Sequence, residues 1–212
     1  MAHEKLNTKI RQEQILATAL DIVSTQGING LSMGAIARRV GLIPSAIYRH
    51  FDSKDNIIDA LLTLIESRLL ANVTAAKKSS DRPLVALHTL LRRHSRLIRE
   101  NAGIPQVVFS EEVYGTNSIR RHRVYEILQR YLEHVAMLFS EAQQAGEVRD
   151  DAKASELSVM FLGLVQPSAI LWHVSEGRFD VTRQVDQAWR LFCDALKPRE
   201  ATDEKQRHVE TP

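Results

Sequence analysis

A chain of 212 residues, 44% hydrophobic and 25% charged, is long enough to bury a core and has the make-up of an ordinary folded protein, not a fibrous or disordered one. Its single cysteine, Cys193, excludes an internal disulfide framework, and no Cys/His cluster has zinc-site spacing, so neither a metal nor a cofactor is expected. The net charge is only +2, yet the first 54 residues carry seven Lys/Arg against four acids, a bias that suits a polyanion such as DNA.

Met1-Ala2-His3-Glu4-Lys5 lacks the apolar core of a secretory signal, and no apolar run reads as long enough to cross a bilayer. A cytoplasmic protein without a membrane partner is the expectation. Sustained period-two alternation is missing, and the chain reads as all-α, with about nine helices. Ile15, Leu16, Ala19, Leu20, Ile22 and Val23 fall at helical spacing, and Gly27 ends this first helix. Ser32 is a good N-cap for a second helix, with Leu31 and Ile36 placed as a hydrophobic staple; Gly41 stops it after two turns. Pro44 opens a third helix at a position where its missing N–H costs nothing. Ser53 caps a long fourth helix from Lys54 to about Ala76. Further helices are expected over about 84–100, 105–111, 118–145, 151–174 and 182–196, separated by Lys77–Pro83, Asn101–Gly103, Gly115–Asn117, Gly146 and Gly177. Residues 197–212 are charged, poor in apolar side chains, and read as a disordered tail.

The second and third helices carry the strongest signal. A helix-turn-helix needs a small residue where its two helices cross, then a residue tolerant of positive φ four positions later, then an apolar residue six further on. Ala37, Gly41 and Ile47 meet these demands. Leu31-Ser32-Met33-Gly34-Ala35-Ile36-Ala37-Arg38-Arg39-Val40-Gly41, followed by Ala46-Ile47-Tyr48-Arg49-His50-Phe51-Asp52-Ser53-Lys54, resembles the DNA-binding domain of the TetR family of bacterial transcriptional regulators. The motif covers about residues 10–58. One departure stands out: the family usually caps the third helix with Ser or Thr, where this chain has Ile43.

In such a motif the second helix enters the major groove with its N-terminal part toward the base edges. Pro44, Ser45, Ala46, Arg49 and His50 are the candidates there. Arg49 suits guanine, because its fork matches O6 and N7. Ser32, Tyr48, His50 and Lys54 are candidate phosphate contacts, and the resemblance favours Tyr48 and Lys54 as anchors. The expected organisation is residues 1–54 as a DNA-binding domain and 55–196 as a larger helical domain for ligand binding and dimerisation.

The 151–174 segment is apolar on nearly every side and must be covered all round. With the last helix it is expected to pair two subunits through Leu162, Ile170, Val185, Trp189 and Phe192. Pro167 should kink that helix, either to line a cavity or simply to suit its packing. Candidate ligand contacts are His94, Val107, Phe109, Tyr125, Phe161, Val165, Gln166 and Trp172, with Leu69, Leu97 and Leu128 nearby. The runs Arg92-Arg93-His94-Arg96 and Arg120-Arg121-His122-Arg123 read as solvated faces with acidic neighbours. No phosphate loop, nucleophile elbow or paired-carboxylate spacing points to an enzyme. The resemblance implies a homodimeric repressor released from a near-palindromic DNA operator when a small, mostly apolar ligand binds. A regulator that needs no ligand, or one that activates, remains an alternative.

Overall fold

The computed structural model describes residues 2–115 and 117–198, with backbone alone for residues 2–7. Every regular element among the described residues is helical. The first helix, α1, spans Ala2–Gln26 and buries Ile15, Ala19, Ile22 and Val23. Gly27, at φ 69°, turns the chain into a short 3-10 helix, Ile28–Gly30. Then come α2, Met33–Val40, and α3, Pro44–Tyr48. The local signals act as read: Ser32 Oγ accepts from the Ala35 amide at 3.1 Å, Leu31 and Ile36 are buried, and Gly41 is left-handed at φ 75°, ψ 33°. Gly41 is needed for that φ alone, since a Cβ there would meet nothing within 4 Å.

Ser53 Oγ caps α4, Lys54–Lys77, by accepting from the Asn56 amide at 3.2 Å. The chain continues through α5, Pro83–Glu100; α6, Gly103–Val108; α7, Glu111–Tyr114; α8, Ser118–Gln144; α9, Ala154–Gly163; α10, Gln166–Val174; and α11, Val181–Leu196. Every helix read from the sequence is present, with two refinements. A four-residue helix, α7, fills part of the connection before α8. The 151–174 helix is interrupted at Leu164 and Val165, which places Pro167 in the first turn of α10, where no carbonyl is waiting for its absent N–H. The expected tail lies outside the described residues from 199 onward.

The stretch 154–174 is, against the sequence expectation, long and apolar enough by composition to cross a membrane. In the fold it is α9 and α10, which bury Leu157, Phe161 and Ala169 against the rest of the chain. Phe139, Phe161, Trp189 and Phe192 form an aromatic cluster, with Phe139–Phe161, Phe139–Phe192 and Phe161–Trp189 meeting edge to face at 6.1 to 6.3 Å between centroids.

Helices α4 and α8 are also joined by charge. Arg120 is buried; its Nε meets Asp59 at 2.8 Å and its Nη2 meets Asp55 at 3.0 Å. Glu66, also buried, takes Arg130 at 2.7 Å and Arg123 as well. The basic run read as a solvated face is therefore only half so. Arg120 faces inward, and the carboxylates of α4 supply what burial would otherwise make costly.

Candidate nucleic-acid interface and adjoining cavity

The crossing of α2 and α3 has the geometry its spacing demands. Ala37 and Ile47 are fully buried, and the left-handed Gly41 bends the chain between them. Pro44, Ser45, Tyr48 and Arg49 stand exposed around α3, while Ala46 and His50 are half-buried. Arg49 has no acidic partner among the described residues, in contrast to Arg39, which pairs with Asp21. Arg38, exposed on α2 within the same motif but not among the expected contacts, is a second such cation. Ile43 is 67% exposed and makes no side-chain cap, so α3 begins on Pro44 alone. Ser32 spends its acceptor on the cap and keeps its O–H. Lys54 is not free: its Nζ lies 3.2 Å from Glu112 Oε1 on α7. His50 Nδ1 and Glu112 Oε2 are buried without a hydrogen-bond partner among the described residues.

Helices α4, α5, α6, α8, α9 and α10 enclose a cavity of about 260 Å³. Of the expected contacts, His94, Phe109 and Gln166 line it, together with Leu69, Leu97 and Leu128. Val107, Phe161 and Val165 do not; each is fully buried in the core. Tyr125 is 59% exposed, because the inward stripe of α8 runs through Val124, Ile127 and Tyr131. Trp172 packs by Gly177 at the end of α10, away from the cavity. Tyr131, Ile98, Ile104, Gln106 and His173 were missed. Tyr131 was findable, one helical turn beyond Leu128. A wall on the 105–111 helix is expected through Val107 and Phe109; Phe109 lines the cavity, and Ile104, Pro105, Gln106 and Val108 stand beside it in place of Val107.

Among the described residues no Lys, Arg, Asp or Glu lines the cavity. Its buried polar pair is His94 and Tyr131, with Nδ1 and the hydroxyl 2.9 Å apart. Burial pushes the imidazole down to about 4 and the phenol above its ordinary value, so both are neutral near pH 7. Helix α6 faces two ways. Ile104, Pro105 and Gln106 line the cavity, while Gln106 Nε2 donates to the Ser24 carbonyl of α1 at 3.2 Å. Gly103 lies so close to α1 that a Cβ would stand 2.3 Å from the Leu20 carbonyl oxygen.

The expected dimer contacts divide. Val185, Trp189 and Phe192 are buried in their own chain, because α11 turns its apolar face to α5 and the aromatic cluster. They correct the sequence reading and are core residues. Leu162 and Ile170 line the cavity, and Ile170 is also 58% exposed. The apolar side chains that these helices present outward are Val159, Met160, Ile170, Leu171, Val174 and Leu191.

Residues 15–61 match the model of the bacterial regulatory proteins of the tetR family, and residues 64–195 match that of the C-terminal region of YsiA-like protein. The nucleoid occlusion factor SlmA of Vibrio campbellii is 23% identical over 194 residues, 90% of this chain and 97% of that one. The fatty acid degradation regulator FadR of Bacillus halodurans has the same fold, with a TM-score of 0.77 at 19% identity over 89% of this chain and 97% of its own. FadR of Bacillus subtilis, solved in complex with stearoyl-CoA, follows at 0.74 and 19%, over 87% of this chain and 98% of its own.

Proposed function

The chain belongs to the TetR family of bacterial regulatory proteins and is a DNA-binding regulator, not an enzyme; on that premise we propose that it is a homodimeric repressor that leaves its operator when a small, mostly apolar molecule fills the cavity. One observation carries this reading: α6 is at once a wall of the cavity and the packing partner of α1. A ligand that displaces Ile104 or Gln106 pushes on Leu20 and Ser24 of the reading head. It also presses on Ile65 and Leu69 of α4, whose first residue is Lys54. Two states a few kcal/mol apart suffice to switch occupancy.

On DNA, Arg49 reads a guanine, and Ser32, Tyr48, His50 and Lys54 hold phosphates, while Pro44, Ser45 and Ala46 face the groove floor. A single head reads few base pairs, so two copies on a twofold axis bind a near-palindromic site. The exposed strip from Val159 to Leu191 is the surface on which they pair. Exposed apolar side chains in such number on neighbouring helices are rarely left to water.

The test is an operator-binding assay with purified protein and DNA from its own promoter region, repeated with small apolar compounds. Release of DNA by a compound that also raises the melting temperature is the expected result. Compounds that stabilise the protein but never change DNA binding would overturn it.

A further inference from the structure

The cavity is almost wholly apolar, but it is not featureless. Its deepest polar feature is the contact between His94 and Tyr131, which reach across from α5 and α8. Tyr131 is 1% exposed, and its hydroxyl has one partner among the described residues, His94 Nδ1. A buried hydroxyl hydrogen left unpaired is costly, so the phenol donates to Nδ1. A neutral imidazole that accepts at Nδ1 carries its proton on Nε2. Nε2 has no partner among the described residues, and the ring lines the cavity. The wall therefore offers one oriented N–H donor in a mostly apolar lining.

The other polar groups are differently placed. Gln106 is committed to Ser24, and Gln166 and His173 sit on α10, with His173 exposed. Among the described residues no Lys or Arg lines the cavity, and burial holds the His94 ring neutral, so a carboxylate entering here would exchange its hydration for neutral donors with no counter-charge. The volume, about 260 Å³, lies just below the roughly 300–1,000 Å³ usual for small-molecule sites.

We propose that the cavity selects an uncharged, mostly apolar ligand bearing a carbonyl oxygen, which accepts a hydrogen bond from His94 Nε2, with Tyr131 as the positioning residue that fixes the imidazole tautomer. The inference rests on the reading of this cavity as the ligand site and names the class of ligand it takes. Ketones, esters, thioesters and amides of modest size fit; free acids do not.

Three probes that share a benzene ring bearing a four-carbon chain separate the contributions: butylbenzene, butyrophenone, whose first chain carbon is the carbonyl, and 4-butylbenzoate. Titration calorimetry on the whole chain at pH 7.5 should show butyrophenone binding on the order of tenfold more tightly than butylbenzene, as one good hydrogen bond allows. The benzoate should bind weakest. His94→Leu keeps the apolar bulk and should bring butyrophenone and butylbenzene to equal affinity. Tyr131→Phe keeps the ring and should reduce their ratio, because the tautomer is no longer held. The ratio between probes reads the donor itself, which a merely loosened fold does not change selectively. Benzoate binding as tightly as the ketone, or a ratio unchanged in His94→Leu, overturns the inference while leaving the cavity as a ligand site. Binding of none of the three by the unaltered protein overturns the ligand-site reading, and the inference with it.

Discussion

The ammonium of Lys54 stands 3.2 Å from the carboxylate of Glu112, joining the first residue of α4 to the short helix α7. Lys54 is a candidate phosphate anchor, so Glu112 competes with DNA for the same cation. Replacing Glu112 with Gln should tighten operator binding severalfold at low salt. The dependence of log K on log salt should steepen, by at most about one unit, as Lys54 engages its phosphate more fully. Fluorescence anisotropy across a salt series measures both. Unchanged affinity would mean that Lys54 lies off the DNA path.

Arg49 has a different signature. Arg49→Ala should cost about 1–3 kcal/mol of operator affinity and relax the preference at one base pair of each half-site, while Tyr48→Phe should weaken all sequences alike. Competition binding against operators varied one base at a time separates the two.

Gly103 tests the link between cavity and head. Gly103→Ala places a methyl 2.3 Å from the backbone oxygen of Leu20, where no side-chain rotation can relieve it. Helices α1 and α6 must part, at a cost of about 1–3 kcal/mol, visible as a lower midpoint in urea denaturation. Operator release by any effector should weaken as well.

The pairing surface is exposed to a direct check. Leu191 is 73% exposed on α11, and Val174 is 68% exposed on α10. Leu191→Glu with Val174→Glu should leave a folded monomer, seen by sedimentation equilibrium as half the mass of the unaltered protein. Helicity should be unchanged, since neither residue belongs to the core. An unaltered protein that is already monomeric at every concentration would overturn the dimer.

His94 should leave a mark on stability against pH. Its folded value is lowered from 6.5 to about 4 by burial, so between these two pH values the unfolded chain binds a proton that the folded chain refuses. The contribution is fully present above about 6.5 and is lost as pH falls toward 4, to the extent of about 3 kcal/mol. His94→Leu should flatten that part of the curve, which denaturant titration at a series of pH values resolves.

The reading head was legible because its determinants are local. Ser32, Gly41 and Pro44 act within a turn of their own position, through a side-chain cap, a left-handed φ and a missing donor. The burial of Ala37 and Ile47 follows from a crossing only ten residues long. The larger part of the chain was legible as helices and much less so as surfaces. Trp189 and Phe192 look alike whether they face a partner or their own core. Only the placement of Phe139 and Phe161, distant in sequence, turned them inward.

Caps, glycine turns and helical periodicity are short-range physics, and they suffice to specify an all-helical chain with a DNA-reading motif near residue 40. Long-range packing set the rest. It broke the 151–174 helix so that Pro167 could sit in a first turn, and it buried Arg120 among the carboxylates of α4. It brought His94 to Tyr131 across two helices to place one polar contact in an apolar cavity, and it set α6 between that cavity and α1. None of these pairings is encoded at a fixed spacing. Each exists because residues dozens of positions apart compete for the same buried space, and that competition is settled only when the whole chain packs.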